Sequence, residues 1–246
     1  MINKDSLLGL LDVPKENINL FSIRQSQRAK KLIFKVSIRN GLEIILPRRY
    51  KDSWVLEVVA KSQPQIKRSL KEIAEARLEL KPTSIVLPSI GNSWRVVYRE
   101  MNAGETRAIT ETSTGLEVPE KSDDVFWVPI ALQEWLQAKA IEYLPRHLEK
   151  VSVKLKLSYR MVRIKRQKTR WGSCSIAKNI NLNRNLMFMP PEVIDYVLHH
   201  ELVHLKVLNH SAEFWKELGR SFPGYKERVR ELRYYGANRM PEWALV

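Results

Sequence analysis

A short motif in the C-terminal half of the chain has the residue types and spacing of a metal site. His200, Glu201 and His204 form an H-E-x-x-H pattern. Because an α-helix turns about 100° per residue, His200 and His204 would project from one face, one turn apart. Two imidazoles placed in this way can bind one Zn²⁺, and Glu201 can take a proton from a zinc-bound water. The motif therefore predicts the chemistry of a zinc hydrolase, with Glu201 as the catalytic base.

A catalytic zinc site needs a third protein ligand and one open position. His210 is our main candidate, because it follows the second histidine of the motif by six residues, as in H-E-x-x-H-x-x-G-x-x-H. Val207 stands where that longer pattern has glycine, so we expect Asn209 to turn the chain through a left-handed conformation. Glu213 and Glu217 are the alternative third ligands. One zinc ion per chain is the expected cofactor.

Other polar side chains near the motif have more than one interpretation. His199 faces another side of the helix, and we expect it to pack or to meet solvent rather than bind metal. Asp195 is either a hydrogen-bond acceptor for a ligand or a solvated helix charge. Cys174 is either a zinc-binding thiolate or, as we favour, a small buried residue in a tight turn. Three side chains are candidates for stabilising an oxyanion: Tyr159, Arg170 and Tyr225.

The elements around the motif can be predicted from periodicity and from helix-start residues. A helix begins at Pro190-Pro191, with proline in its first turn, and runs to about Leu208. A shorter helix follows from Ser211, and another covers Tyr225–Tyr235. Two strands, Arg160–Arg166 and Ile180–Asn185, precede the motif helix. We therefore expect the motif to lie on a helix beside a small sheet.

The N-terminal region is predicted to be mainly β. Apolar and polar residues alternate over Leu32–Ile38, and Leu42–Leu46 is a second extended apolar run. Asn40-Gly41 separates these runs, and this dipeptide favours a hairpin because both residues accept positive φ. Ile18–Arg24 is a further possible strand, and two helical segments should cover residues 53–80.

Polar residues at Pro119–Asp124 suggest a domain boundary, which we place at residue 124. The expected organisation is a β-rich N-terminal region, 1–124, and a second domain, 125–246, that begins with a helix over Pro129–Glu149. Pro145 should kink or divide that helix. The predicted fold class is α+β.

Composition narrows the class of protein. The chain has 246 residues, of which 44% are hydrophobic, so a packed core is expected and global disorder is excluded. The longest apolar run has eight residues, far below the roughly 18 needed to span a bilayer, so no membrane partner is expected. The single cysteine and a start without a signal-peptide pattern predict a cytoplasmic protein.

A basic band, which we define as Lys150–Pro191, contains eleven Lys or Arg and no Asp or Glu. Such a surface attracts polyanions, so nucleic acid is a possible partner. One alternative function is therefore a nucleic-acid-binding module with a structural zinc closed by four ligands, and another is a DNA-stimulated protease. A solvated face that aids solubility or favours acidic peptides remains the simpler interpretation.

Five segments together give a resemblance to a known family: Arg170–Ser175, Ile180–Asn183, His200–Leu205, Asn209–Ser211 and Phe214-Trp215. The sequence resembles the YgjP-like predicted metal-dependent hydrolases and is more distantly similar to SprT-like zinc proteases. The resemblance implies a small zincin-like metallopeptidase domain with an active-site helix, and a peptide or protein substrate. It assigns the zinc ligands to the three histidines of the motif region and the general base to the motif glutamate.

The resemblance also implies a role for the strands. In zincin-type proteases an edge strand above the metal aligns an extended peptide through main-chain hydrogen bonds. Arg160–Arg166 or Ile180–Asn185 could be that edge strand, and an ordinary internal hairpin is the alternative.

Overall fold

The computed structural model describes residues 4–11, 20–102, 104–113, 115–121 and 124–246. These residues form two compact units, of which the first ends at Lys81 and the second is Pro82–Leu245. Seven of the ten described strands lie before residue 121, together with three helices, and the later part is mostly helical, so the fold is α+β as predicted. The boundary predicted at residue 124 falls within the second unit and remains a prediction from composition.

The first unit contains a three-stranded sheet and three helices. Their bounds are α1 Lys4–Leu11, β1 Phe21–Ser26, β2 Ile33–Ser37, β3 Gly41–Pro47, α2 Asp52–Lys61 and α3 Gln63–Leu78. The central strand β3 is parallel to β1 and antiparallel to β2. The predicted hairpin is confirmed, because Ser37 pairs with Gly41, which has a φ of 69°. Of the strand predicted at Ile18–Arg24, residues 18 and 19 lie outside the described residues.

Five elements of the first unit contribute to one hydrophobic core. Buried side chains come from α1, β1, β3, α2 and α3: Leu7, Phe21, Ile44, Val55 and Leu70. The alternation along β2 is weaker than expected, since this strand lies at the sheet edge and Phe34 is only partly buried. Burial of these apolar side chains is the main stabilising contribution to the unit.

The second unit begins with a four-stranded sheet, followed by a long helix. The bounds are β4 Ser84–Leu87, β5 Asn92–Glu100, β6 Thr110–Thr112, β7 Gly115–Glu120 and α4 Trp127–Leu155. The strand order is β4-β5-β7-β6. Buried residues recur every four positions on one face of α4: Leu132, Leu136, Ala140, Leu144 and Leu148. Pro145 lies inside α4 without dividing it, so that alternative of the prediction is wrong.

A three-stranded sheet follows α4 and precedes the motif helix. The strands are β8 Met161–Lys165, β9 Gly172–Cys174 and β10 Asn179–Asn183. The order is β8-β10-β9, with β8 parallel and β9 antiparallel to β10. The expectation that Ile180–Asn185 could be an edge strand is therefore wrong, because β10 is paired on both sides. The edges are β8 and the short strand β9, which the sequence did not reveal.

Helices form most of the remaining chain. Their bounds are α5 Pro191–Val203, α6 Ala212–Ser221, α7 Tyr225–Asn238 and α8 Glu242–Leu245. The start of α5 agrees with the prediction, but its end does not: the helix stops at Val203 rather than near Leu208. None of the helices in the described ranges is long and apolar enough to cross a lipid bilayer.

Candidate metal centre

The metal-site motif lies at the C-terminal end of α5. Pro191 occupies the first turn, and Val193, Val197 and Leu198 bury the apolar face of the helix. His200 lies in the last turn, whereas His204 already occupies the C-cap. Their ring centroids are 4.9 Å apart. The motif therefore lies at the C-terminal end of a buried helix, next to the turn that leads to His210.

The end of α5 allows His210 to approach the motif. The backbone N–H groups of Lys206 and Val207 both donate to the carbonyl of Val203, which closes the last turn. The left-handed conformation expected at Asn209 is absent, since the non-glycine residues with positive φ among the described residues are elsewhere. Instead, Asn209 Oδ1 accepts a hydrogen bond from the Ser211 N–H at 3.3 Å. A side-chain hydrogen bond therefore stabilises the turn, in place of the predicted left-handed residue.

The three histidines converge. One nitrogen from each of His200, His204 and His210 lies within 4.8 Å of the other two. The Nε2 atoms of His200 and His210 are 3.0 Å apart. His204 Nδ1 lies 3.0 Å from the Val207 carbonyl, which can only accept, so this nitrogen carries the proton and Nε2 keeps its lone pair. Three imidazoles with converging nitrogens are a donor set that fits zinc.

Burial favours the neutral form of two of these imidazoles, those of His200 and His204. Desolvation, with His204 and His210 nearby, lowers the pKa of His200 to about 3. Burial also lowers the pKa of His204. A neutral imidazole offers a lone pair to a metal, whereas a protonated one does not. The site is therefore ready to bind a cation at neutral pH.

Glu201 lies next to the histidines in an unusual environment for a carboxylate. Its side chain is buried, and within the described part of the chain Oε2 has no hydrogen-bond partner. Burial raises its pKa to about 8, although Arg170 opposes the shift. Gly172 packs against it so closely that a Cβ at this position would lie 2.5 Å from Oε1. The Glu201 carboxylate, which belongs to α5, therefore packs against β9, and its Oε2 is available to accept a hydrogen bond.

These groups line one pocket of about 520 Å³. Besides the motif residues and His210, its wall includes residues from the β9 region and from α5 and α7: Arg170, Trp171, Ser173, Cys174, Tyr196 and Leu232. Tyr196 was missed by sequence reasoning, although it lies four residues before His200 on the same helix face, and its hydroxyl is 3.5 Å from His200 Nδ1. The pocket combines three converging imidazoles with a buried carboxylate.

Several other candidates lie outside the cluster. Burial and the charge of Glu201 raise the pKa of the Cys174 thiol to about 11, and Cys174 does not belong to the group of converging ligand atoms. Glu217 pairs with Lys206 and Arg220. Two residues are also outside this group: Glu213 is exposed, and His199 is buried with a ring centroid 4.9 Å from that of Phe222.

The remaining polar candidates have partners away from the pocket. Asp195 Oδ1 lies 2.6 Å from Nε2 of His147, a residue that the sequence did not single out. Among the oxyanion candidates, the Tyr159 hydroxyl donates to Glu149, and Tyr225 stacks on Trp215. Arg170 is the one of the three that lines the pocket.

Gly172→Ala should lower activity by about 100-fold while the protein keeps its metal, because about 1 Å of misplacement in an active site can have an effect of this size. The new Cβ would also lie 2.7 Å from Glu201 Cγ, so the side chain must move. Steady-state kinetics and elemental analysis measure both quantities. Gly219→Ala is the matched control, since its Cβ makes only an ordinary contact, 3.6 Å from Tyr225. Equal activity in the two variants would show that the close packing of Gly172 does not position the Glu201 side chain.

The metal-free protein should lose stability as the pH rises from about 4.5 to about 8, and Glu201→Gln should abolish that loss. The pKa of Glu201 is raised from 4.5 to about 8 by burial. The folded state therefore binds this proton more tightly than the unfolded chain, which stabilises it at low pH and ceases to do so as the carboxyl ionises. Thermal unfolding of both proteins between pH 5 and pH 9 tests this. A difference in Tm between wild type and Glu201→Gln that is the same at every pH would contradict this prediction.

Comparison with known proteins gives a family and two related structures. A family model described as YgjP-like, metallopeptidase domain, matches residues 30–235. The metallopeptidase zymogen abylysin of Pyrococcus abyssi is 30% identical, with a TM-score of 0.34, over 40% of this chain and 97% of its own. The zymogen jannalysin of Methanocaldococcus jannaschii is 24% identical, with a TM-score of 0.33, over 38% and 95%. A comparison with curated proteins gives no match.

Proposed function

The chain belongs to the YgjP-like metallopeptidase family and is therefore a metal-dependent hydrolase, and on this premise we propose that it cleaves peptide bonds with one zinc ion. His200, His204 and His210 hold the ion, and Glu201 is the general base. One observation carries the proposal. The three imidazoles converge within 4.8 Å in the same pocket as a buried carboxylate, one oxygen of which has no hydrogen-bond partner among the described residues.

The residues divide the chemistry among them. When bound, zinc supplies a Lewis acid and lowers the pKa of a coordinated water. Glu201 accepts a proton from water at its unpartnered Oε2 and returns it to the leaving amine. Gly172 fixes the position of that carboxylate by close contact. The hydrogen bond from His204 Nδ1 to the Val207 carbonyl orients the ring, as a second partner commonly does for a metal-binding histidine.

The edge strand β9 is placed to align a substrate. Among the described strands of its sheet, β9 is terminal, and β10 pairs with one side of it. All three residues of β9 line the pocket: Gly172, Ser173 and Cys174. An extended peptide that added to this edge would gain main-chain hydrogen bonds with little demand on sequence. We therefore assign the aligning role to β9, in place of the two strands considered from sequence.

Removal of the metal should abolish peptide cleavage, and zinc should restore it. Chelation followed by dialysis gives the metal-free protein, and cleavage of a mixed peptide library is followed by mass spectrometry. One equivalent of zinc per chain should return full activity. Two outcomes would contradict the proposal: no cleavage by zinc-loaded wild type, or undiminished cleavage by protein that elemental analysis shows to be metal-free.

A second candidate function is nucleic-acid contact through the basic band, Lys150–Pro191. Ten of its eleven basic residues are exposed, and the exception is the buried Arg184. Stimulation of proteolysis by DNA, and loss of that stimulation at high salt, would support this partner. A module with a closed structural zinc has less support, since Cys174 does not belong to the ligand group. We propose a cytoplasmic location from the sequence alone, since a single cysteine suits a reducing compartment.

A further inference from the structure

A second pocket adjoins the one that contains the histidines. Its volume is about 550 Å³, and three of its lining residues also line the first pocket: Arg170, Trp171 and Leu232. The Trp171 ring packs tightly on α7, because a Cβ on Gly236 would lie 2.8 Å from its Cζ2. The wall between the two pockets is therefore a fixed aromatic ring. The two pockets therefore meet at this ring.

The second pocket is lined by several basic side chains. Among the described residues, its lining includes Arg166, Lys168, Arg170 and Arg233, and no Asp or Glu. In the described ranges, the side chains of Lys168, Arg170 and Arg233 form no ion pair with a carboxylate. Arg166 donates a hydrogen bond to the carbonyl of Leu245 at 3.4 Å. Cations on the wall of a concave site focus the field into it and favour an anionic group there.

We propose that this pocket binds a carboxylate of the peptide substrate and makes the enzyme selective for acidic peptides. The inference rests on the peptidase function proposed above, since it assigns a binding role to a subsite of the same substrate. Guanidinium groups hold carboxylates through charge-assisted, bidentate hydrogen bonds, and Arg170 and Arg233 both offer such a group. The carboxylate belongs either to an Asp or Glu side chain or to the C-terminus of the peptide.

A peptide fits these observations better than a nucleic acid does. The pocket is concave and has the volume of a few side chains, whereas a phosphate backbone is tracked along an extended surface. It also shares its wall with the site where the peptide would be cleaved. The part of the basic band that faces away from both pockets, such as Arg163 on β8, contributes nothing to this subsite.

Binding without turnover tests the proposal. Fluorescent peptides are titrated into zinc-loaded Glu201→Gln protein, and Kd is measured by anisotropy. One set carries Glu at each position in turn with an amidated C-terminus, a second carries Gln at the same positions, and a third carries Gln with a free C-terminal carboxylate. We expect at least a tenfold lower Kd for one carboxylate-bearing set than for the amidated Gln set. Whichever carboxylate-bearing set gains affinity identifies the source of the carboxylate.

Matched substitutions locate the preference. Arg170→Gln with Arg233→Gln should remove it, and Arg163→Gln should retain it, since Arg163 is exposed but lines neither pocket. Equal binding of all peptide sets would overturn the proposal. Two other results would also overturn it. One is a preference for carboxylate-bearing peptides that survives the double substitution, and the other is a double variant that loses affinity for a DNA oligonucleotide but not for these peptides. Failure of wild type to cleave even neutral peptides would count against the peptidase function, and the binding preference is measured separately from it.

Discussion

Glu201→Gln should lower peptidase activity by about 10²- to 10⁴-fold, the usual contribution of a positioned general base, while metal content stays the same. Glutamine has nearly the shape of glutamate, so the contacts of Cγ and Cδ with Gly172 are kept. What is lost is the ability of Oε2 to accept a proton. Because Glu201 does not belong to the group of converging ligand atoms, zinc should remain bound. The loss should lie in kcat rather than in KM.

The measurement compares kcat and zinc content in wild type, Glu201→Gln and Glu192→Gln. Glu192 is the matched control, since it lies on the same helix but is exposed in the first turn. Wild-type activity in Glu192→Gln together with a large loss in Glu201→Gln would separate the base from the general charge of α5. An unchanged kcat in Glu201→Gln would show that another group moves the proton. Loss of zinc in that variant would show that Glu201 contributes to binding the metal.

Local sequence patterns correctly predicted those features whose structure depends on residues close together along the chain. The hairpin at Asn40-Gly41 was predictable because glycine accepts positive φ, and Ser37 does pair with Gly41, although Asn40 itself does not have positive φ. The convergence of His200 and His204 follows from helix geometry alone. In both cases the information lies within one or two turns of chain, where periodicity and backbone preference decide the outcome.

The parts of the site that depend on distant segments could not be predicted. Strand β9 has three residues, too few for a periodic pattern, and it exists because β10 pairs with it. The contact of Gly172 with Glu201 joins residues that are close only after folding. The end of α5 at Val203 was missed because apolar residues continue the helical pattern beyond it to Leu208. Tertiary packing overrides local preference at these positions.

His210→Ala should reduce zinc affinity by more than about 100-fold and bring peptidase activity to background. Loss of a group that only orients a metal ligand already costs about 10- to 100-fold in affinity, so loss of a ligand should cost more. His210 is exposed on the turn between α5 and α6, so the fold should tolerate the change. Circular dichroism checks the fold, and elemental analysis with titration of a zinc indicator measures binding.

The matched variant Glu213→Ala decides between His210 and Glu213, two of the three candidates for the third ligand. Glu213 is exposed on the first turn of α6, and no ligand atom of it belongs to the converging group. Retention of zinc by Glu213→Ala and its loss by His210→Ala would establish the three-histidine site. The reverse result would transfer the third position to the carboxylate. X-ray absorption at the zinc edge distinguishes a catalytic from a structural zinc site. Three nitrogens and one oxygen indicate an open site that can act on a substrate, whereas four protein ligands indicate a closed structural site.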